Sequence, residues 1–121
     1  MTGRMLDDDE LTNRWESCTL GRPITHEEHL RIARLLVHRH GQHHATRRLV
    51  DATRANCEAM NAVERFDERL TRRWSERIAD AVASGDGATF EDFIAVHPEL
   101  TRSDLLGPPA WKTPERGRGA A

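Results

Sequence analysis

The chain has no tyrosine, one lysine (Lys112), two cysteines and only 5% aromatic residues. Each scarcity excludes something. Val, Ile, Phe and Tyr are too few to supply several strands, so a sheet-built domain gives way to a helical one. Cys18 and Cys57 are far apart and form no C-x-x-C pair, which removes a zinc ribbon and a dithiol redox centre from consideration. The longest purely aliphatic run is Leu35-Leu36-Val37, far short of a membrane span. "MTGRMLDDDE" at the N-terminus has none of the apolar core of a secretory signal, so a cytoplasmic location with reduced thiols is expected. Basic charge carried almost wholly by arginine is the bias expected of a GC-rich bacterial genome.

What remains is 121 residues, 37% apolar and 31% charged, with a net charge of −2. That is enough to bury one core. The expected architecture is all-α, a compact single-domain bundle of four to five helices over residues 1–106, followed by a mobile Pro/Gly-rich tail over 107–121 in which only Trp111 could anchor. A first helix is expected over roughly 6–18, ended by Gly21-Arg22-Pro23. Thr25 and Glu28 form a Thr-x-x-Glu capping box that starts a second helix, and Gly41 stops it. A third helix then runs from about 42 to 60 and a fourth from about 62 to 83. Thr89 caps a short one that Pro98 closes.

The stretch "ITHEEHLRIARLLVHRH" (24–40) carries the first anomaly. Taking His26 as the origin at about 100° per residue, Leu30, Ala33 and Val37 fall within roughly 40° of it. His29 and His40 lie to one side by roughly 60° and 40° on the same wheel. Histidines and the apolar stripe therefore share a face. His40, near the helix end, is expected as a C-terminal capping residue. Asp67 is the second anomaly, because Leu70, Thr71, Trp74, Ile78 and Ala81 all lie within roughly 60° of it on the 62–83 wheel. A buried carboxylate costs several kcal/mol unless it is paired. Asp67 is therefore expected to meet His26 or His29 across the bundle.

The same residues resemble a family. "ITHEEHLRIARL", "FDERLT" (66–71) and "TFEDFIAVHPEL" (89–100) are similar to motifs of small all-helical bacterial proteins with the pattern Phe-x-His-x-x-His-aliphatic-x-aliphatic-Ala, then Tyr-His-x-Thr-aliphatic-Thr. The likeness spans about residues 11–106. It implies a polar centre at His26, His29 and Asp67 with Thr71 beside it. Ile24, Phe66, Asp67 and Arg69 stand where that pattern has Phe, Tyr, His and Thr.

The function expected is binding of a small molecule or metal at a His/His/Asp site between two helices, with acid–base catalysis as one version. His26 or His29 would then be the base, Asp67 the orienting carboxylate and Thr71 a hydrogen-bond donor. A divalent metal is the cofactor that His26, His29 and Asp67 would accept. From Arg31 to Arg54 there are six arginines and one acid, Asp51. This basic middle suggests a small anionic ligand, with Arg47, Arg48 and Arg73 as contacts. The alternative function is a non-catalytic interaction or regulatory module. Nucleic-acid binding is a weaker alternative, disfavoured by the negative net charge and the inward histidines. Oligomeric state is not expressed in the sequence.

Overall fold

The computed structural model describes residues 6–112. Asp7 caps α1 (Asp8–Glu16) through a 2.8 Å bond from the Glu10 N–H, and three acids in the first turn suit the positive end of the dipole. Helix α2 (His26–Ala59) opens with both halves of the capping box. Glu28 N–H donates to Thr25 Oγ1 and Thr25 N–H donates to Glu28 Oε1. Glu28 also holds Arg22 through two bonds of 2.8 and 2.7 Å, which together drive its carboxyl down to about 2.

Gly41 does break α2, but without a loop. At φ 78° and ψ 167° it turns the chain in one residue, leaving two helical arms, 26–40 and 42–59. Only glycine enters that backbone region without strain. His40, expected as a C-terminal cap, is followed directly by this break and makes no capping bond among the described residues.

Helix α3 (Glu68–Ser84) packs chiefly on α2, and α1 lies on α2 as well. The short α4 (Phe90–Val96) is capped by Thr89, which accepts from the Asp92 N–H. Among the described residues there is no strand, and the fold is an all-α bundle of four helices. No described helix is long and apolar enough to cross a membrane.

One core joins all four helices. Leu11 and Trp15 meet Leu49 and Trp74 there, and Phe93 closes it from α4. Two buried polar ties fix the packing. Thr46 Oγ1 lies 2.7 Å from Ser75 Oγ, and Asn56 Nδ2 donates to the carbonyls of Trp15 at 2.6 Å and Ala52 at 2.8 Å. The second tie sets where the C-terminal end of α1 sits against α2.

The expected start of the fourth helix is corrected. Asn61 takes a left-handed conformation (φ 55°) after α2, and Val63–Arg65 forms a separate 3-10 turn. Phe66 is extended, so α3 begins only at Glu68 with Asp67 as its N-cap. Asn tolerates the left-handed region and Asp is a favoured cap, so both residues act at their local chemical preference.

Candidate functional site

A cavity of about 600 Å³ opens between the start of α2, the start of α3 and the C-terminal arm of α2. Ile24, Leu70, Trp74, Met60 and Pro109 give it largely apolar walls. His26, His29, Asp67 and Thr71, the four candidates named from the sequence, all line it. They share the cavity but not the expected bonds.

His26 has a structural task. Its Nε2–H donates to the Leu100 carbonyl at 2.8 Å, and its ring meets the Trp74 ring edge-on with centroids 5.0 Å apart. The start of α2 is thereby tied to the 3-10 turn Pro98–Thr101. His29, one turn later, makes no side-chain hydrogen bond among the described residues. Burial pushes its pKa from 6.5 down to about 4, and repulsion from a charged His26 adds to the effect. At neutral pH the cavity therefore holds an uncharged imidazole whose polar edge has no hydrogen-bond partner among the described residues.

Asp67 does not meet either histidine, contrary to expectation. Its Oδ1 accepts from the Leu70 N–H at 3.0 Å and its Oδ2 from the Ala110 N–H at 2.8 Å. Burial raises its pKa, but backbone N–H groups of Ala110, Leu70 and Arg69 outweigh burial and hold it below the ordinary value. The carboxylate is satisfied by backbone because it sits at a helix N-terminus rather than inside a helical stripe. Thr71 donates from Oγ1 to the Asp67 carbonyl at 2.9 Å, so its hydroxyl proton is also committed.

The expected metal set is not assembled either. No group of three or more His, Cys, Asp or Glu side chains among the described residues is placed to hold a metal ion. His26, His29 and Asp67 do not fit one, since both Asp67 oxygens and the His26 Nε2 are occupied by backbone. The histidine-rich stretch "HRHGQHH" (38–44) forms no such group either.

Residues 107–112, the start of the expected tail, lie over the cavity. Pro109 and Trp111 line it, Ala110–Lys112 forms a 3-10 turn, and Arg65 stacks over the Trp111 ring at 5.3 Å. The rest of the expected tail, 113–121, lies outside the described residues. Asp67 thus joins two structures, the first turn of α3 and this strap. Asp67→Ala is expected to cost about 1–2 kcal/mol of stability and to speed amide exchange at Ala110. An unchanged exchange rate at Ala110 would show that the strap is held by something else.

The arginines named as anion contacts do not reach this cavity. Arg48 makes two bonds of 2.9 Å to Glu16, and Arg73 donates to the Leu106 carbonyl at 3.3 Å. Arg47 lines a separate polar groove of about 660 Å³, where Arg54 and Arg72 each pair with Glu68. Across the basic middle, five of the six arginines pair with the chain's own acids: Arg31, Arg34, Arg39, Arg48 and Arg54. Little of that charge is left for a phosphate backbone.

Sequence reasoning singled out neither Trp15 nor Cys57 as a site residue, yet both line the cavity. Burial raises the Cys57 thiol, with Glu64 adding to the rise, so it stays protonated and unreactive at neutral pH. No periodicity signals such residues, because a cavity is defined by what neighbouring helices leave unfilled. The chain matches no family model, no curated protein and no solved structure.

Proposed function

We infer that this protein binds a small, largely apolar molecule in the cavity beneath the 107–112 strap. The observation that carries this reading is the pairing of apolar walls with the uncharged, unpartnered His29 imidazole in a space of about 600 Å³. Ligand pockets have this character: mostly apolar lining with a few polar groups that fix orientation. The strap supplies a roof that meets Asp67 through the Ala110 N–H and Arg65 through the Trp111 ring, contacts that ligand entry can break and remake.

Binding is favoured over catalysis by the same chemistry. A general base works best with a pKa near the operating pH and with a partner that orients it. His29 has a pKa near 4 and no orienting carboxylate, since Asp67 is occupied elsewhere. It is a poor proton acceptor for chemistry at neutral pH and a good hydrogen-bond partner.

Nile red, an uncharged dye that brightens in apolar surroundings, tests this directly. Wild-type protein is expected to bind it saturably at one site per chain. Cys57→Trp fills the cavity from the C-terminal arm of α2 and is expected to weaken binding about ten-fold or more. Equal brightening by the wild type and by a folded Cys57→Trp protein would contradict the reading.

A further inference from the structure

The cavity has two unlike ends. Inside, Leu70 and Trp74 give apolar walls, and the His29 imidazole in the same space is uncharged at neutral pH. A charged group carried that far in would lose its water and find no counter-charge.

The outer end is built from the 3-10 turn Val63–Arg65 and the strap. Arg65 lines it, with its guanidinium 5.3 Å from the centre of the Trp111 ring, and the Lys112 ammonium lies 5.3 Å from the same centre. The electron-rich indole thus gathers two cations at the mouth. Both side chains are exposed, and neither forms an ion pair among the described residues. That sets them apart from the arginines of α2, most of which are paired with acids.

Two acids stand close by. Asp67 spends both oxygens on backbone N–H groups and feels the charge of Arg69, while Glu64 acts on the Cys57 thiol. Arg65, Arg69 and Lys112 set against Glu64 and Asp67 leave one positive charge in excess. The surface around these cations is apolar. Met60, Val63 and Trp111 are three of the four large apolar side chains that stand exposed among the described residues. Met60 and Trp111 line the cavity, and Val63 opens the turn that Arg65 closes.

Resting on the binding function inferred above, we propose that the ligand is an amphiphilic monocarboxylate, with its apolar body inside the cavity and its carboxylate at the mouth against Arg65 and Lys112. The headgroup keeps water on its outer side there, so desolvation does not cancel the attraction. An ordinary carboxylic acid is ionised at neutral pH, so the ligand binds as the anion.

Three probes of one chain length and different charge test this: decanoate, 1-decanol and decyltrimethylammonium, each set to displace Nile red from the full chain below its micelle concentration. Decanoate is expected to bind about five-fold more tightly than decanol at low salt, and the gap should close as salt is raised. Arg65→Gln removes an exposed side chain with no ion pair to lose. It should weaken decanoate about three-fold and leave decanol unchanged. Decanol that binds as tightly as decanoate, or a decanoate affinity that Arg65→Gln does not alter, would overturn the proposal while leaving the cavity a binding site. Tightest binding by the ammonium probe would overturn it in favour of a cation held at Asp67 and Glu64. Decanoate that binds a folded Cys57→Trp protein as well as wild type lies on the surface, which overturns it too. Nile red that binds and is displaced by none of the three would also overturn it. Failure of Nile red itself to bind would remove the binding function.

Discussion

Gly41→Ala is expected to lower stability by about 2–3 kcal/mol, the cost of forcing a side-chain-bearing residue into a backbone region that glycine alone occupies freely. The site leaves ample space, since nothing lies within 4 Å of an added Cβ. The penalty is therefore conformational and not steric crowding by neighbours. Its sign carries the information. Were residues 26–59 a single continuous helix, alanine at 41 would stabilise by about 1 kcal/mol, because glycine is a poor helix former. The break at φ 78° and ψ 167° reverses that expectation. Chemical denaturation of the two proteins under one condition distinguishes the cases. A more stable Gly41→Ala protein would mean that the two arms run on as one rod, with the cavity at the start of α2 placed differently.

Acidification is expected to cost the wild type stability that His29→Leu does not lose. His29 has its folded pKa lowered from 6.5 to about 4, so between those values the unfolded chain binds a proton that the folded protein rejects. Stability linked to this group is complete above about pH 6.5, declines as pH falls, and stops declining below about pH 4. Proton linkage sets an upper value of about 3 kcal/mol, and contact of the ring with water in the open cavity brings the expected loss to about 2 kcal/mol. Other groups, Glu28 and Asp67 among them, also contribute to acid sensitivity. The comparison with His29→Leu isolates the imidazole, because the carboxylates are common to both proteins. Leucine suits the apolar walls, so the variant should be at least as stable as wild type at neutral pH. Parallel stability curves for the two proteins from pH 7 to pH 4 would show that His29 titrates as a surface residue.

The legible parts of this chain were those decided within a few residues. Thr25 and Glu28 announce a capping box, and the structure forms both of its bonds. Gly41 announces a break, and Thr89 a cap. The wheel through His26 correctly placed both early histidines on the side where the cavity lies. What misled was the one residue open to two local readings. Asp67 fits an apolar stripe if the helix begins near 62 and fits an N-cap if it begins at 68, and periodicity does not choose between them. The left-handed Asn61 decides it, through a backbone conformation that sequence composition expresses only weakly. The strap was hidden for a different reason. Gly107, Pro108 and Pro109 read as a loose tail, but the Ala110 N–H finds Asp67 across 43 positions of sequence. Pairings at that range leave no local pattern.

The central claim is that the first turn of α2 presents an uncharged imidazole, without a hydrogen-bond partner among the described residues, to an apolar cavity. The most direct measurement is the titration of the His29 ring itself, followed by ¹⁵N or ¹³C NMR with His29→Leu used to assign its signals. A ring that remains neutral at pH 6 and titrates with a midpoint at about 4 is expected. A midpoint at or above the ordinary value near 6.5 would contradict the claim, since it would require either a carboxylate partner for His29 or free access of bulk water to it.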